Sequence, residues 1–347
     1  MSEIAAVLEP RSVLIATDFS PPSEKALRHS LALARFYGSR FCLAHVVSSL
    51  GLTMAGPGAI AACEEAVLRE AAQLEASLVR TGALTGIQYK FIVRQGELWP
   101  ELREIIREES TDLLVVGTHG RHGVGKLFFG SLAEQIFRQA GCPVLIFGPH
   151  SQQLPWVGSP SRARTFLFAT DFGQASLHAL SESIAVANHF GAKLVFLNVI
   201  PAVPPRRFRL YAGTDPGKLQ ENAYQIALQR LAELARSANL DLRPESHVEF
   251  ESNKPISEWI LETAGRLGAD LIIMGLHSSA QFGVMSHLNW TTAYDVVCHA
   301  GSPVLTVNCA SEKGHIRPKA SQLTTPPLSD TDLIRIRGLG VKWWTGS

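Results

Sequence analysis

The chain has no surplus charge of either sign. Its 347 residues hold 32 lysines and arginines against 31 aspartates and glutamates, a net charge of +1, so no field of one sign is available for nucleic acid or an anionic membrane. It lacks any apolar run of the ~18 residues that a membrane span needs. Its start, "MSEIAAVLEPRSVLIATDFS", mixes acids with apolar residues and has neither a cationic cap nor a small-residue cleavage site. These absences predict a cytoplasmic protein. Cys42, Cys63, Cys142, Cys298 and Cys309 form no Cys-x-x-Cys pair and have no histidine at ligand spacing. An odd number in a long chain reads as buried thiols in a reducing compartment.

What the chain does have is itself, twice. Its length suits two domains of about 150 residues, and internal repeats support that division. "SVLIATDFS" (12–20) returns as "TFLFATDFG" (165–173), an offset of 153 between Asp18 and Asp171. "TDLLVVGTHG" (111–120) returns as "ADLIIMGLHS" (269–278), and "AGCPVLIFG" (140–148) as "AGSPVLTVN" (300–308), the last at an offset of 160. Each copy alternates short β-branched runs with longer helical patterns, which predicts parallel strands joined by right-handed helical crossovers. The strands are expected near 13–17, 41–47, 88–93, 113–117 and 144–147, then near 165–170, 193–199, 247–251, 271–275 and 304–307. The first helix has its own punctuation: Ser20 as cap, Pro21 at the first position, Leu27, Leu31 and Ala34 on one face and Gly38 at the close. In the second copy Leu177, Leu180, Ile184 and Ala187 share a face and Gly191 ends it. The fold class is α/β, with two tandem five-stranded, Rossmann-like domains at 1–148 and 164–309. Residues 149–163 serve as linker, and 310–347 as a solvated or loosely docked tail. Within that tail Trp343 and Trp344, with Arg335, Arg337 and Lys342, leave a docking segment open.

The glycine-rich stretch "VVGTHGRHGVGKLFFGS" (115–131) poses the functional question. Gly120, Gly125 and Lys126 fit a Walker A loop, but position 127 is leucine where that loop needs Ser or Thr for magnesium, and the stretch follows the fourth strand rather than the first. A second pattern fits better. Gly117 and Gly120 are followed by nine residues and then Gly130 and Ser131, which open an amphipathic helix ending at Gly141. Glycines admit an anion to the backbone, and a helix start offers unpaired N–H groups and a favourable dipole.

The spacing G-x-x-G, nine residues, G-[ST], after a fourth strand and before a "CPVL" strand, resembles the ATP-binding class of the universal stress proteins, in a tandem-domain layout. The resemblance covers residues 11–148 and, more weakly, 164–308. It implies an adenine nucleotide, ATP, as ligand, with any Mg2+ arriving on the nucleotide. It also implies that Gly117, Gly120, Gly130 and Ser131 line the phosphates and that Arg121 attracts them. Ala16, Thr17 and Asp18 would lie by the adenosine, Asp18 accepting from ribose or adenine, and Val46 and Val47 would contact adenine. Ligands of open α/β sheets sit at such strand ends. Asp18 also has a plainer reading as a cap or turn carboxylate, and the two coexist. His119 and His122 belong to no H-x-G-H arrangement, and no S-G-G-x-D-S loop is present, so they read as polar contacts and the protein as no enzyme, with slow ATP hydrolysis at most.

The second copy keeps Asp171 and Gly275, but Ser278 replaces the second glycine, and Trp290 and Thr291 stand where Gly130 and Ser131 are. It is therefore expected to be a degenerate partner. The resemblance further implies that "PVLIF" (143–147) and "PVLTV" (303–307) pair within one chain, with a homodimer and an unidentified regulatory protein as further partners. The expected role is nucleotide-dependent stress response or regulation. A non-binding interaction module, a sensor of AMP or a cyclic dinucleotide, and a slow ATPase are the alternatives.

Overall fold

The computed structural model describes residues 10–48, 57–118, 135–136, 139–151, 163–201, 215–237, 245–251, 254–277 and 287–309. The greater part of the expected linker, the tail beyond residue 309, and the glycine-rich stretch from 119 to 134 lie outside the described residues.

All ten expected strands are present. The first half runs β1 (Ser12–Ala16), α1 (Pro21–Tyr37), β2 (Arg40–Ser48), α2 (Pro57–Arg80), β3 (Tyr89–Gly96), α3 (Leu98–Glu108), β4 (Leu113–Gly117) and β5 (Val144–Phe147). The second runs β6 (Thr165–Ala169), α4 (Gln174–Phe190), β7 (Lys193–Ile200), α5 (Pro216–Ser237), β8 (Glu245–Phe250), α6 (Ile256–Leu267), β9 (Leu271–His277), α7 (His287–His299) and β10 (Val304–Cys309). Helix α1 follows its punctuation in part. Pro21 opens it, Gly38 closes it in the left-handed region at φ 66°, and Leu27, Leu31 and Ala34 are buried. Ser20 occupies the cap position but does not cap, because its hydroxyl donates to Asp18 Oδ1 at 2.5 Å.

The two expected five-stranded units are halves of one ten-stranded sheet, in the order β3-β2-β1-β4-β5-β10-β9-β6-β7-β8. Neighbours within each half are parallel, and β5 meets β10 antiparallel, with Leu145 opposite Leu305 and Val144 opposite Thr306. The expected pairing of "PVLIF" with "PVLTV" is thus present, and it covers two edges that would otherwise invite aggregation. Strand residues alternate between two cores. One face, with Ile15, Phe41 and Phe147 matched by Phe166, Phe168 and Phe196, carries α1, α2, α4 and α5. The other, with Leu14, Val116 and Ile146 matched by Leu167 and Met274, carries α3, α6, α7 and the residues Ile136 and Ala140. Burial on both sides explains why the strands read as continuous apolar runs.

Candidate nucleotide site

The chain leaves β1 for β2 on one side and later returns to pair β4 on the other. The carboxyl ends of β1 and β4 therefore flank a switch in strand order, where an open α/β sheet has its crevice. Ala16, Thr17 and Asp18 lie at the end of β1, Val46 and Val47 at the end of neighbouring β2, and Gly117 at the end of β4. The structure brings these six residues together at one sheet end. Gly120, Arg121, Gly130 and Ser131, together with His119 and His122, lie outside the described residues.

A tight turn shapes the β1 end. Asp18 Oδ1 accepts the Ser20 N–H at 3.0 Å and both the Ser20 and Ser23 hydroxyls, while Thr17 Oγ1 accepts the Phe19 N–H at 3.0 Å. These bonds hold Phe19 in the left-handed region at φ 60°, a conformation that costs a bulky residue about 1–2 kcal/mol. Asp18 thus takes its plainer role: it organises the turn into α1, and its exposed side chain stands at the crevice. The second half repeats the device. Asp171 Oδ1 accepts from Gly173 N–H and from the Ser176 hydroxyl at 2.8 and 2.6 Å, and Phe172 has φ 61°.

Three residues escaped the sequence reading. His45, at the end of β2, donates from Nδ1 to the Thr17 carbonyl at 2.8 Å and its ring lies 4.7 Å from that of Phe19; Asn198 makes the matching bond to Thr170 in the second half. Ser23 ties Asp18 to the helix, and its spacing from Asp18 recurs between Asp171 and Ser176, a signal the repeat contained. Thr118, just past β4, is 1% exposed, and its hydroxyl has no partner. A buried hydroxyl without a partner is costly, and this one sits where the chain enters the glycine stretch.

The halves differ at the crevice. Ala16 and Val46 are half-buried, whereas their counterparts Ala169 and Val199 are buried, and Leu276 takes the place of Thr118. Gly275 keeps its identity for a local reason: a Cβ there would stand 2.3 Å from the Ala175 carbonyl oxygen, in the first turn of α4. The first glycine of the pattern is therefore demanded by helix packing in the second half. Trp290 and Thr291 are not at a helix start, because α7 begins at His287; Ser278 lies outside the described residues.

Neither Cys42, Cys142 and Cys298 nor the Ser257 cluster sets up a nucleophile. Burial pushes the Cys42 and Cys142 thiols up to about 12, far from a reactive thiolate. Cys298 is buried as well. Ser257, Asp295 and His299 cluster between α6 and α7, but the Ser257 hydroxyl donates to Asp295 at 2.5 Å and the imidazole lies beyond the carboxylate. Without a histidine beside the serine this is a tie between helices, not a triad. No three His, Cys, Asp or Glu side chains among the described residues gather as metal ligands, and none of the described helices is long and apolar enough to cross a membrane.

The model of the universal stress protein family matches residues 10–148 and again 162–308. The chain belongs to the universal stress protein family. It is a tandem member, with one family domain in each half of the sheet. It is similar to a universal stress protein of Mycolicibacterium smegmatis, 25% identical over 308 residues, covering 85% of this chain and 96% of that one. A universal stress protein of Thermus aquaticus, 29% identical over 137 residues, covers 39% of this chain and aligns over 97% of its own length. A crystal structure of a universal stress protein from Archaeoglobus fulgidus superposes with a TM-score of 0.56 at 20% identity, covering 88% of this chain and 99% of that one.

Proposed function

We propose that this universal stress protein binds ATP in its N-terminal half and acts in nucleotide-dependent stress response or regulation, the C-terminal half serving as a degenerate partner. The observation that supports the reading is the convergence of the carboxyl ends of β1, β2 and β4 at the switch in strand order, where open α/β sheets take their ligands. There Ala16 and Val46 are half-buried, and the chain enters the G-x-x-G stretch behind the unpartnered Thr118 hydroxyl. Those residues fit an adenosine. Ala16, Val46 and Val47 offer apolar contact, His45 and the Ser23–Asp18 turn hold the β1 end in shape, and the exposed Asp18 offers a carboxylate. ATP itself supplies a polyphosphate anion, with or without Mg2+, for Gly117, Gly120, Arg121, Gly130 and Ser131 to receive. In the second half Ala169, Val199 and Leu276 are buried, and Trp290 and Thr291 stand where Gly130 and Ser131 are, which favours one site per chain.

The reading is of binding, with slow ATP hydrolysis at most. The test is calorimetric titration of ATP into nucleotide-stripped protein beside a Gly130→Trp variant, which copies the second half into the first. One site per chain, lost in the variant, is expected. No binding by the wild type leaves an interaction module, two sites overturn the asymmetry, and tighter binding of AMP or a cyclic dinucleotide replaces the ligand.

A further inference from the structure

The sheet ends at β3 on one side and at β8 on the other, and the two margins differ. The Phe41 N–H donates to the Gln88 carbonyl at 2.8 Å. In the parallel ladder with β2 the even-numbered residues of β3 therefore face inward, while Tyr89, Phe91, Val93 and Gln95 turn their N–H and C=O groups to the open edge. No described strand pairs with them. Natural edges are commonly guarded by charge, but the two cations of β3 are committed elsewhere. Lys90 binds Glu109 at 2.5 Å, and Arg94 binds Glu108 and, at 3.6 Å, Glu101, acids on or just after α3.

Beside this edge α2 adds an apolar stripe. Of the large hydrophobic side chains exposed among the described residues, Leu68, Val79 and Tyr89 belong to α2 and β3, and Phe36 belongs to α1, where it meets Phe190 of the other half. Leu68, the exposed Ala72 and Val79 follow one another at helical spacing and share one side of α2. Ala71, Leu74 and Leu78 pack on the core, and a right-handed crossover places the stripe, about a quarter-turn further round, on the side away from α1. The other margin is polar. Exposed positions of α5 carry Glu221, Asn222, Gln225, Gln229 and Arg236, and no large hydrophobic is exposed among the described residues of α5 or β8.

We propose that the β3 edge and the outer side of α2 form an isologous interface with a second copy of this chain. The edge is self-complementary. Antiparallel pairing with Phe91 of one copy opposite Val93 of the other, and Tyr89 opposite Gln95, satisfies every outward N–H and C=O and sets aromatic against β-branched side chains. None of these four residues is charged, and Lys90 and Arg94, which oppose each other in that register, are already neutralised by their acids. The molecule contains one such junction within itself: β5 and β10 join antiparallel, and beside them α1 and α4 touch through Phe36 and Phe190, with ring centroids 5.7 Å apart. At a β3 seam the two α2 helices take that place and cover Leu68, Ala72 and Val79. One apolar margin per chain gives a closed two-fold dimer and not a filament. The interface lies beyond β2 from the β1–β4 switch, so the proposal does not depend on the nucleotide reading.

The experiment is sedimentation velocity of the full chain over a dilution series, with hydrogen exchange on the same samples. The wild type is expected to sediment as a dimer with a micromolar or tighter dissociation constant, and the amides of Tyr89, Phe91, Val93 and Gln95 to exchange faster on dilution. Leu68→Glu together with Val79→Glu, both at exposed positions, buries unpaired charge only in the dimer and is expected to weaken it about a hundredfold. Val93→Pro removes an outward N–H, spares the ladder with β2 and is expected to dissociate the dimer from the strand side. Gln225→Glu together with Gln229→Glu, on α5, is expected to leave it intact. A dimer that survives both the α2 and the β3 variants, or that the α5 variant dissociates, overturns the proposal by placing the contact elsewhere. A monomeric wild type overturns it too: protected amides at 89–95 then assign the edge to another segment of the same chain, and unprotected ones leave it to a different partner.

Discussion

His29 and Glu182 occupy matching positions, 153 residues apart, on α1 and α4, and each is 8% exposed. His29 Nε2 and Glu182 Oε2 have no hydrogen-bond partner, and the His29 ring stacks on Phe147 at 4.7 Å. Burial, helped by the Lys25 and Arg28 charges, lowers His29 from 6.5 to about 4, and burial raises Glu182 from 4.5 to about 7. Each gap is worth about 3 kcal/mol between the two protonation states. The signs oppose. The folded state binds fewer protons at His29 than the unfolded chain, so that contribution is full above pH 6.5 and is lost as pH falls toward 4. The folded state binds more protons at Glu182, so that contribution is full below pH 4.5 and is lost as pH rises toward 7. Between pH 4.5 and 6.5 the two slopes, about 1.4 kcal/mol per pH unit each, cancel. Glu182→Gln removes one of them. The variant is expected to match the wild type near pH 4.5, to gain steadily with pH, and to be about 3 kcal/mol more stable at pH 8. His29→Gln should show the complementary slope, stability falling from pH 4.5 to 7, whatever constant offset the lost ring stack adds. Guanidinium denaturation at half-unit pH steps measures both. A Glu182→Gln advantage that is the same at pH 5 and pH 8 would refute the reasoning, since only a titrating buried carboxyl makes it grow.

Two further substitutions test the local structure. Gly275→Ala drives a Cβ into backbone of α4 that cannot retreat, and is expected to cost about 1–3 kcal/mol or more in thermal or chemical unfolding; a neutral result would mean that α4 shifts freely. Ser23→Ala and Ser176→Ala each remove a bond to a turn aspartate and should each cost about 1 kcal/mol of stability, but only Ser23→Ala should also weaken ATP binding in calorimetry. Equal effects of the two on affinity would contradict the one-site reading.

Much of the fold was legible because the strands are buried on both faces and read as compact apolar runs. Ser12–Ala16 and Leu113–Gly117 needed nothing beyond their own composition, and α1 carried its proline and its closing glycine in the chain. Ser20 was misread because an N-cap is a statement about where a hydroxyl points, and here a neighbouring carboxylate competes for it more strongly than a helix N–H does. Gly275 was legible as a glycine but not for its reason, which is the backbone of a helix that begins 101 residues earlier in the chain, at Gln174. His45 and Thr118 went unread as site residues because neither belongs to a spaced pattern, whereas the spacing of Ser23 from Asp18 recurs between Asp171 and Ser176 and was there to be read.

The sequence alone determined the duplication, the α/β class, the order of elements and the family, since all of these depend on local periodicity and on motifs contiguous in the chain. Only the tertiary structure decided that two five-stranded units close into one sheet, that His29 and Glu182 are both buried with a polar atom left unpartnered, and that the Asn308 amide donates to the Ala140 carbonyl of the opposite half. Those features arise from residues more than a hundred positions apart, whose hydrogen-bonding and solvation energies exist only once β5 and β10 have met.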